Sequence, residues 1–282
     1  RATRLLPFLS AGDKTYAATL RLGITTDSDD TTGRVTATCD QALDEAAIRT
    51  AATAFQGTIE QRAPAVSAIK QGGEALYKKA RRGEVVTPPV RRVRIVSLAI
   101  ERVDLAARTV DFVVSCSAGT YVRSLARDWG EALGVGGALS ALRRNAIGPH
   151  DVAGAIPTGD LAERPEGSIP EWNARLAAAG LTPEQALSGL PGLALDGAEA
   201  RAVGTGRAPA RRRALEAGIP ADCAAFRLLD GEGALLGVGA LTPPATPGAA
   251  SDAGPPVAPA APSADDPFEL RLVWAAREAL AP

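Results

Sequence analysis

The stretch "SCSAGTYVRSLARDWGEALG", Ser115–Gly134, decides how the chain is read. A run of apolar and small residues breaks at Ala118-Gly119-Thr120, and an aromatic hydroxyl and a guanidinium, Tyr121 and Arg123, follow at once. Beyond the break, Val122, Leu125, Trp129 and Leu133 recur at spacings of three and four, the core stripe of an α-helix. Arg123, Arg127 and Glu131 form a different stripe, and Thr120 is the expected N-cap. Tyr121 and Arg123 therefore fall on the first turn, off the buried stripe, presented rather than packed. The plainer reading is a strand, a turn and a helix with ordinary polar decoration. The rest of the chain separates the two.

A chain of 282 residues, 46% of them hydrophobic, suits one large domain or two unequal ones. No apolar run approaches the roughly 20 residues a bilayer span requires, and no signal peptide opens the sequence. A soluble, cytoplasmic protein with no membrane partner is expected. Cys39, Cys116 and Cys223 lie far apart without close Cys or His pairs, which argues against a structural zinc site and against a secreted disulfide framework. Cys116, in an apolar strand-like run, reads as a buried free thiol. The single histidine, His150, has no nucleophile elbow near it, so a Ser-His-Asp triad is disfavoured. Methionine is absent, so Arg1 is not a translational start, and an incomplete N-terminus is the expectation.

The net charge of −1 hides a strong local bias. Arg62, Lys70, Lys78, Lys79, Arg81, Arg82, Arg91, Arg92 and Arg94 stand against only Glu74 and Glu84 in their segment, the surplus that a polyanion site needs. A second cluster, Arg211 to Arg213, reads more readily as a solvated face than as a nucleic-acid contact.

"KTYAATLRLGITTD" alternates as a half-buried strand, with Tyr16, Ala18, Leu20 and Leu22 on one side. "TTDSDDTTGRV" is then a loop, in which Gly33 is the residue tolerant of positive φ. Asp40 is placed to cap a helix over "QALDEAAIRTAATAF". Within the basic segment, Pro64 and Gly72-Gly73 mark loop, and "EALYKKARRG" reads as a short helix stopped by Gly83. "VRRVRIVSLAIERVDLAARTVDFVVSCS" carries two or three strands. After about Pro157 the texture turns to Pro, Gly and Ala. "AAFRLLDGEGALLGVGAL" then gives two strands about an Asp-Gly turn, and "PFELRLVWA" a third. Tyr77 and Trp172 read as structural aromatics. Residues 242–267, almost wholly Pro, Ala, Gly, Ser and Asp, read as a flexible insertion.

Four stretches in one order, "DKTYAATLRLGITTDSDDTTG", "QRAPAVSAIKQGGEALYKKARRG", "CSAGTYVRSLARDWGEALG" and "GALSALRRNAIG", resemble the TruB-type tRNA pseudouridine synthases, densely over about residues 1–148. The resemblance implies an α+β fold: a mixed catalytic domain around an antiparallel β-sheet with flanking helices, then a small C-terminal β-rich, PUA-like domain. The corresponding boundaries are 1–160 for the catalytic domain with a thumb-like basic insertion at about 60–92, 161–180 for a connecting segment, and 181–282 for the small domain. The implied activity is isomerisation of the T-loop uridine, position 55 of tRNA, to pseudouridine. No metal and no organic cofactor are implied, and the chain is expected to act as a monomer on the tRNA T-arm. The target base must be flipped out of a folded loop.

By the same resemblance Tyr121 stands beside the flipped base and Arg123 pairs with the catalytic carboxylate, keeping it ionised. Tyr16 stacks on the base, and Leu142 of "ALRR" lines the pocket. Lys70, Lys78, Lys79, Arg81 and Arg82 grip phosphates. The chain departs from the family in one serious respect. The nucleophilic Asp of the family lies in a Gly-x-Leu-Asp stretch that this sequence does not contain, and Asp13, Asp27 and Asp29 belong to other blocks. The chain as it stands is therefore expected to be inactive, with that stretch upstream of Arg1. Ala118 stands where many relatives carry a basic residue. Two alternatives remain at this point: the guide-RNA-dependent synthase of archaea and eukaryotes, and a tRNA-binding module without chemistry.

Overall fold

The computed structural model describes residues 2–84, 86–159, 180–241 and 263–274, together with Ala174 and Ala177. It separates into two units, Ser10–Ala155 on one side and Arg1–Leu9 with Ile156–Pro282 on the other. The opening residues form a 3-10 turn, Ala2–Leu5, that runs into α1 (Leu6–Leu9).

The unit Ser10–Ala155 contains β1 (Lys14–Leu22), β2 (Ile24–Thr26), β3 (Val35–Thr38), α2 (Glu45–Thr53), β4 (Gly57–Arg62), β5 (Lys70–Gln71), β6 (Glu74–Ala75), α3 (Leu76–Arg81), β7 (Val90–Asp104), β8 (Thr109–Cys116), α4 (Val122–Ala132), β9 (Gly137–Ile147) and β10 (His150–Asp151). Its main sheet has the order β10-β9-β1-β8-β7-β4, with every neighbouring pair antiparallel. β1 lies near the middle because its alternation gives one apolar face: Ala18, Leu20 and Leu22 are buried and Tyr16 packs beside them. Across β8, Val110, Phe112, Val114 and Cys116 continue the same apolar layer.

α4 covers this layer with Val122, Leu125, Ala126 and Trp129, the stripe its spacing predicts. Trp129 is fully buried, stacks edge-on to Phe112 at 5.5 Å, and donates from Nε1 to the Ile48 carbonyl of α2 at 3.2 Å. Truncating such a residue to Ala costs about 3–5 kcal/mol, so this contact anchors both helices to the sheet.

Three local expectations are corrected. α2 begins at Glu45, not at Gln41. Its cap is Asp44, whose carboxylate accepts from the Ala46 and Ala47 amides, and Asp40 is too far upstream to reach them. The N-cap of α4 is Tyr121 rather than Thr120, and no side-chain cap serves it. Instead, buried Gln61 of β4 clamps the Tyr121 backbone, accepting from its N–H at 2.8 Å and donating to its carbonyl at 3.1 Å. Finally, the left-handed backbone in the β2–β3 loop falls at Asp29 (φ 63°) and not at Gly33. Gly33 is needed for space: a Cβ there would lie 2.6 Å from Asp27 Oδ1 and closer still to Ser28 Oγ.

The second unit contains α5 (Pro183–Ala186), β11 (Gly192–Ala194), α6 (Gly197–Gly204), α7 (Arg211–Glu216), β12 (Phe226–Leu229), β13 (Leu235–Ala240) and β14 (Glu269–Val273). Its sheet has the order β11-β12-β13-β14, the first pair parallel and the others antiparallel. Asp230 closes the β12–β13 turn by accepting from the Glu232 and Ala234 amides. Leu5 packs with Leu187, Leu235, Val238 and Leu272.

Of the stretch 242–267, residues 242–262 lie outside the described residues, as do Trp172 and nearly all of 161–180. Its last five residues do pack, contrary to expectation. The Arg211 and Arg212 amides donate to the Asp266 and Ala264 carbonyls, Arg212 pairs with Asp265 at 2.9 Å, and Pro267 bridges to Ala210. Arg213 is taken up by Glu199 at 2.9 Å, and Arg211 donates to the Leu241 carbonyl. These contacts tie Arg211, Arg212 and Arg213 to their own unit.

Candidate active site

The break before α4 is a turn closed by the Thr120 amide donating to the Ser117 carbonyl, with Gly119 in the left-handed region at φ 86°. A β-carbon there would be strained. The turn ends the β8 side of the sheet and starts α4 within five residues. Tyr121 is thereby placed at the helix mouth and Arg123 on its first turn.

Arg123 does not wave in solvent. Its side chain is 23% exposed and is held from three sides. Nη1 donates to the Ser28 carbonyl at 2.9 Å and to Asp30 Oδ2 at 3.3 Å, and Nη2 donates to the Val66 carbonyl at 2.9 Å. The guanidinium is thus fixed between the β2–β3 loop and the segment after β4. Asp30 is shaped to receive it. Its Oδ1 accepts from Ser28 Oγ, the Thr32 amide and Thr32 Oγ1, leaving Oδ2 for the arginine. Burial works against the Asp30 charge, but these hydrogen bonds and Arg123 outweigh it and hold the carboxyl below its usual range.

One helical turn further, Arg127 Nη1 meets Asp29 Oδ2 at 2.8 Å. Both side chains are nearly buried, at 17% and 13% exposure. Arg127 also meets Asp128 at 2.7 Å and donates to the Arg62 carbonyl at 2.9 Å. Burial pushes the Asp29 carboxyl up, with Arg127 opposing. The loop is tied to β9 as well: the Leu139 amide donates to the Asp29 carbonyl at 3.0 Å, and the Thr31 amide to the Leu139 carbonyl at 2.9 Å.

Tyr16 stands on β1 opposite Val114 and Arg144, packed against the core layer that includes Val122 of α4. Burial, then Cys116, push its phenol pKa up, and Arg144 opposes. Leu142 lies opposite Ala18 on β9 and is 49% exposed, an unusual position for a large apolar side chain unless something covers it. Tyr16 and Leu142 thus stand on the neighbouring strands β1 and β9, and Tyr121 and Arg123 at the start of α4. The remaining expected contacts lie on the β5–β6 hairpin and α3. Lys70 and Lys78 are exposed there, and Arg81 lies 5.6 Å over the Tyr77 ring. Arg82 is engaged by Glu74 at 2.6 Å and Glu84 at 2.7 Å, so both acidic residues of the segment pair with it directly.

Sequence reasoning did not single out Asp30, Gln61 or the Asp29–Arg127 contact. A signal for the last existed: Arg123 and Arg127 share a stripe four residues apart, and two adjacent carboxylates precede Gly33.

Residues 1–122 match the family described as TruB family pseudouridylate synthase (N terminal domain). The chain is 50% identical over 158 residues to a tRNA pseudouridine synthase B of Cutibacterium acnes, covering 55% of this chain and 54% of that one. It is 39% identical over 211 residues to one of Corynebacterium efficiens, covering 73% and 67%. A Mycobacterium tuberculosis relative of the same description is 41% identical over 176 residues, covering 60% and 58%. The chain thus spans between about half and two thirds of the length of these curated relatives. Among solved structures, a Cbf5-Nop10-Gar1 complex gives a TM-score of 0.65 at 21% identity, covering 100% of this chain and 72% of the matched one, which is a likeness of fold. The shared sequence blocks, their antiparallel sheet and the arginine fixed at the mouth of α4 lead to one conclusion: the chain belongs to the TruB family of pseudouridylate synthases.

Proposed function

We propose that the protein isomerises the T-loop uridine at position 55 of tRNA to pseudouridine, as a monomer in the cytoplasm and without metal or organic cofactor. The observation that carries this reading is Arg123, held by the Ser28 and Val66 carbonyls and the Asp30 carboxylate at the mouth of α4. Three acceptors fix a cation at the place where the family's blocks converge.

The reaction breaks C1′–N1, turns the uracil and forms C1′–C5. The proton lost from C5 is balanced by one gained at N1. Arg123 supplies fixed positive charge to a carboxylate working at the sugar or base. The Gly-x-Leu-Asp stretch that carries that carboxylate in the family is not among the 282 residues of this sequence. Tyr16 stacks on the everted base, and burial pushes its phenol pKa up. Tyr121 stands beside the base and Leu142 closes the pocket, which accounts for the exposure of this leucine. Lys70, Lys78, Lys79 and Arg81 bind T-arm phosphates, with Arg82 contributing least because Glu74 and Glu84 hold it. The unit with the β11–β14 sheet serves as a PUA-like RNA-binding domain.

The test is chemical or mass-spectrometric mapping of pseudouridine in tRNA from cells with the full gene deleted. Loss of the modified T-loop base, restored by the wild-type gene and not by Arg123→Ala, supports the reading. Unchanged modification, with the protein still retaining tRNA, supports a binding module instead.

A further inference from the structure

Two neighbouring carboxylates, Asp29 and Asp30, reach two arginines one turn apart on the same helix. Arg127 Nη1 lies 2.8 Å from Asp29 Oδ2, and Arg123 Nη1 lies 3.3 Å from Asp30 Oδ2. Extended backbone does not allow this, because successive side chains point to opposite faces. The left-handed conformation of Asp29, φ 63°, turns both carboxylates toward α4. Asp29 is one of two non-glycine residues with positive φ among the described residues, the other being Arg108. A non-glycine residue in that region persists when its surroundings over-determine it.

The surroundings here are specific. The Asp29 carbonyl accepts from the Leu139 amide, the Thr31 amide donates back to the Leu139 carbonyl, and the Asp29 carboxylate is held by Arg127. Arg127 is in turn fixed by Asp128 and by the Arg62 carbonyl at the end of β4. Ser124 Oγ donates to the same Arg62 carbonyl at 2.8 Å. Buried pairs of this kind give little net stability, but they select one geometry among near-equivalents. Asp30 has holds of its own, Ser28 and Thr32 on its carboxylate and Thr26 and Gly33 on its carbonyl, and the Asp29–Arg127 pair adds the tie between this loop and the second turn of α4.

We propose that Arg127 and Asp29 are positioning residues: their ion pair sets the left-handed turn that aims Asp30, and through it the Arg123 guanidinium, at the reacting carboxylate. This rests on the function proposed above and adds to it a second arginine–aspartate rung that touches no substrate.

The experiment uses the full-length enzyme with Arg127→Gln, Arg127→Lys, Asp29→Gly and the Arg127→Gln/Asp29→Gly double variant, each assayed at a temperature where circular dichroism shows it folded. kcat for pseudouridine formation is expected to fall by about 10- to 100-fold in Arg127→Gln with KM for tRNA unchanged, the size of effect that about 1 Å of misplacement produces. Arg127→Lys should recover part of the loss. The double variant should be no worse than the worse single one, because both changes break the same link. In parallel, hydrogen exchange at the Thr31 and Leu139 amides should accelerate in Arg127→Gln, while amides of β8 stay protected. Unchanged kcat in folded Arg127→Gln, equal losses in kcat and tRNA affinity, or unchanged exchange at both amides would overturn the proposal. If the wild-type enzyme forms no pseudouridine, the functional reading fails on its own, and the two amides still decide whether Arg127 holds the turn.

Discussion

Asp29 and Asp30 share a peptide bond, yet their environments push them apart. For Asp30, hydrogen bonds from Thr32 and Ser28 and the charge of Arg123 outweigh burial, so its folded pKa lies below the unfolded value. Its contribution to stability is therefore present above the unfolded value and is lost as pH falls through the folded one. For Asp29, burial outweighs Arg127 and the folded pKa is raised. Its contribution is present below the unfolded value and is lost as pH rises through the folded one, so at neutral pH the ionised form costs stability and specifies geometry instead. Carbon-detected NMR titration of the two carboxyls should give midpoints on either side of the unperturbed value of about 3.9. Midpoints shifted in the same direction would contradict the account. Arg123→Ala in the full-length enzyme should lower kcat by about 100-fold or more, as expected when a fixed catalytic charge is removed, with tRNA affinity little changed in a filter-binding assay. Parallel loss of both would place Arg123 in RNA binding.

The N-terminus of α4 depends on a side chain from another strand. Tyr121 makes no side-chain cap, and Gln61, accepting from its N–H and donating to its carbonyl, fixes the backbone at the helix entry. Gln61→Leu leaves the Tyr121 N–H without its acceptor while the carbonyl keeps the Leu125 amide, at a cost of about 1–3 kcal/mol. Thermal denaturation should show the loss, and hydrogen exchange should place it in the first turn of α4. Sequence could not reveal this link, because residues 61 and 121 meet only once β4 has joined the sheet. The helix itself was legible, since its Val122, Leu125 and Trp129 period is strong, whereas its exact start was decided by a distant glutamine. The same contrast holds for α2: its apolar face was plain, but the cap was expected at Asp40 and falls at Asp44. On α3, neutralising Lys78 and Lys79 should flatten the salt dependence of tRNA binding, by about 0.7–0.9 in logarithmic slope for each phosphate that is no longer neutralised. Arg82→Ala should flatten it less, because Glu74 and Glu84 already bind that arginine. Equal slopes for both changes would remove the distinction.

At the level of the whole chain, β1, β7, β8 and β12 to β14 were readable from alternation and turn residues, as the β12–β13 hairpin about Asp230 shows, whereas β4 and β9 carry no such pattern and were not read as strands. Nor was the membership of the first residues readable. "RATRLLPFL" gives no local sign that Leu5, 3% exposed, packs with Leu187, Leu235, Val238 and Leu272. Leu5→Ala should cost about 2–5 kcal/mol and should speed exchange in β12 and β13 while leaving β1 and β8 protected. The reverse pattern would assign these residues to the other unit. Along the chain, Ser10–Ala155 separates Leu5 from the residues it packs with, Leu187, Leu235, Val238 and Leu272. During synthesis, Leu5 leaves the ribosome long before its partner Leu272. At about 5–20 residues per second, that interval is on the order of 10–50 s. The residues of Ser10–Ala155 have time to mature on the nascent chain before Leu272 arrives to complete the burial of Leu5.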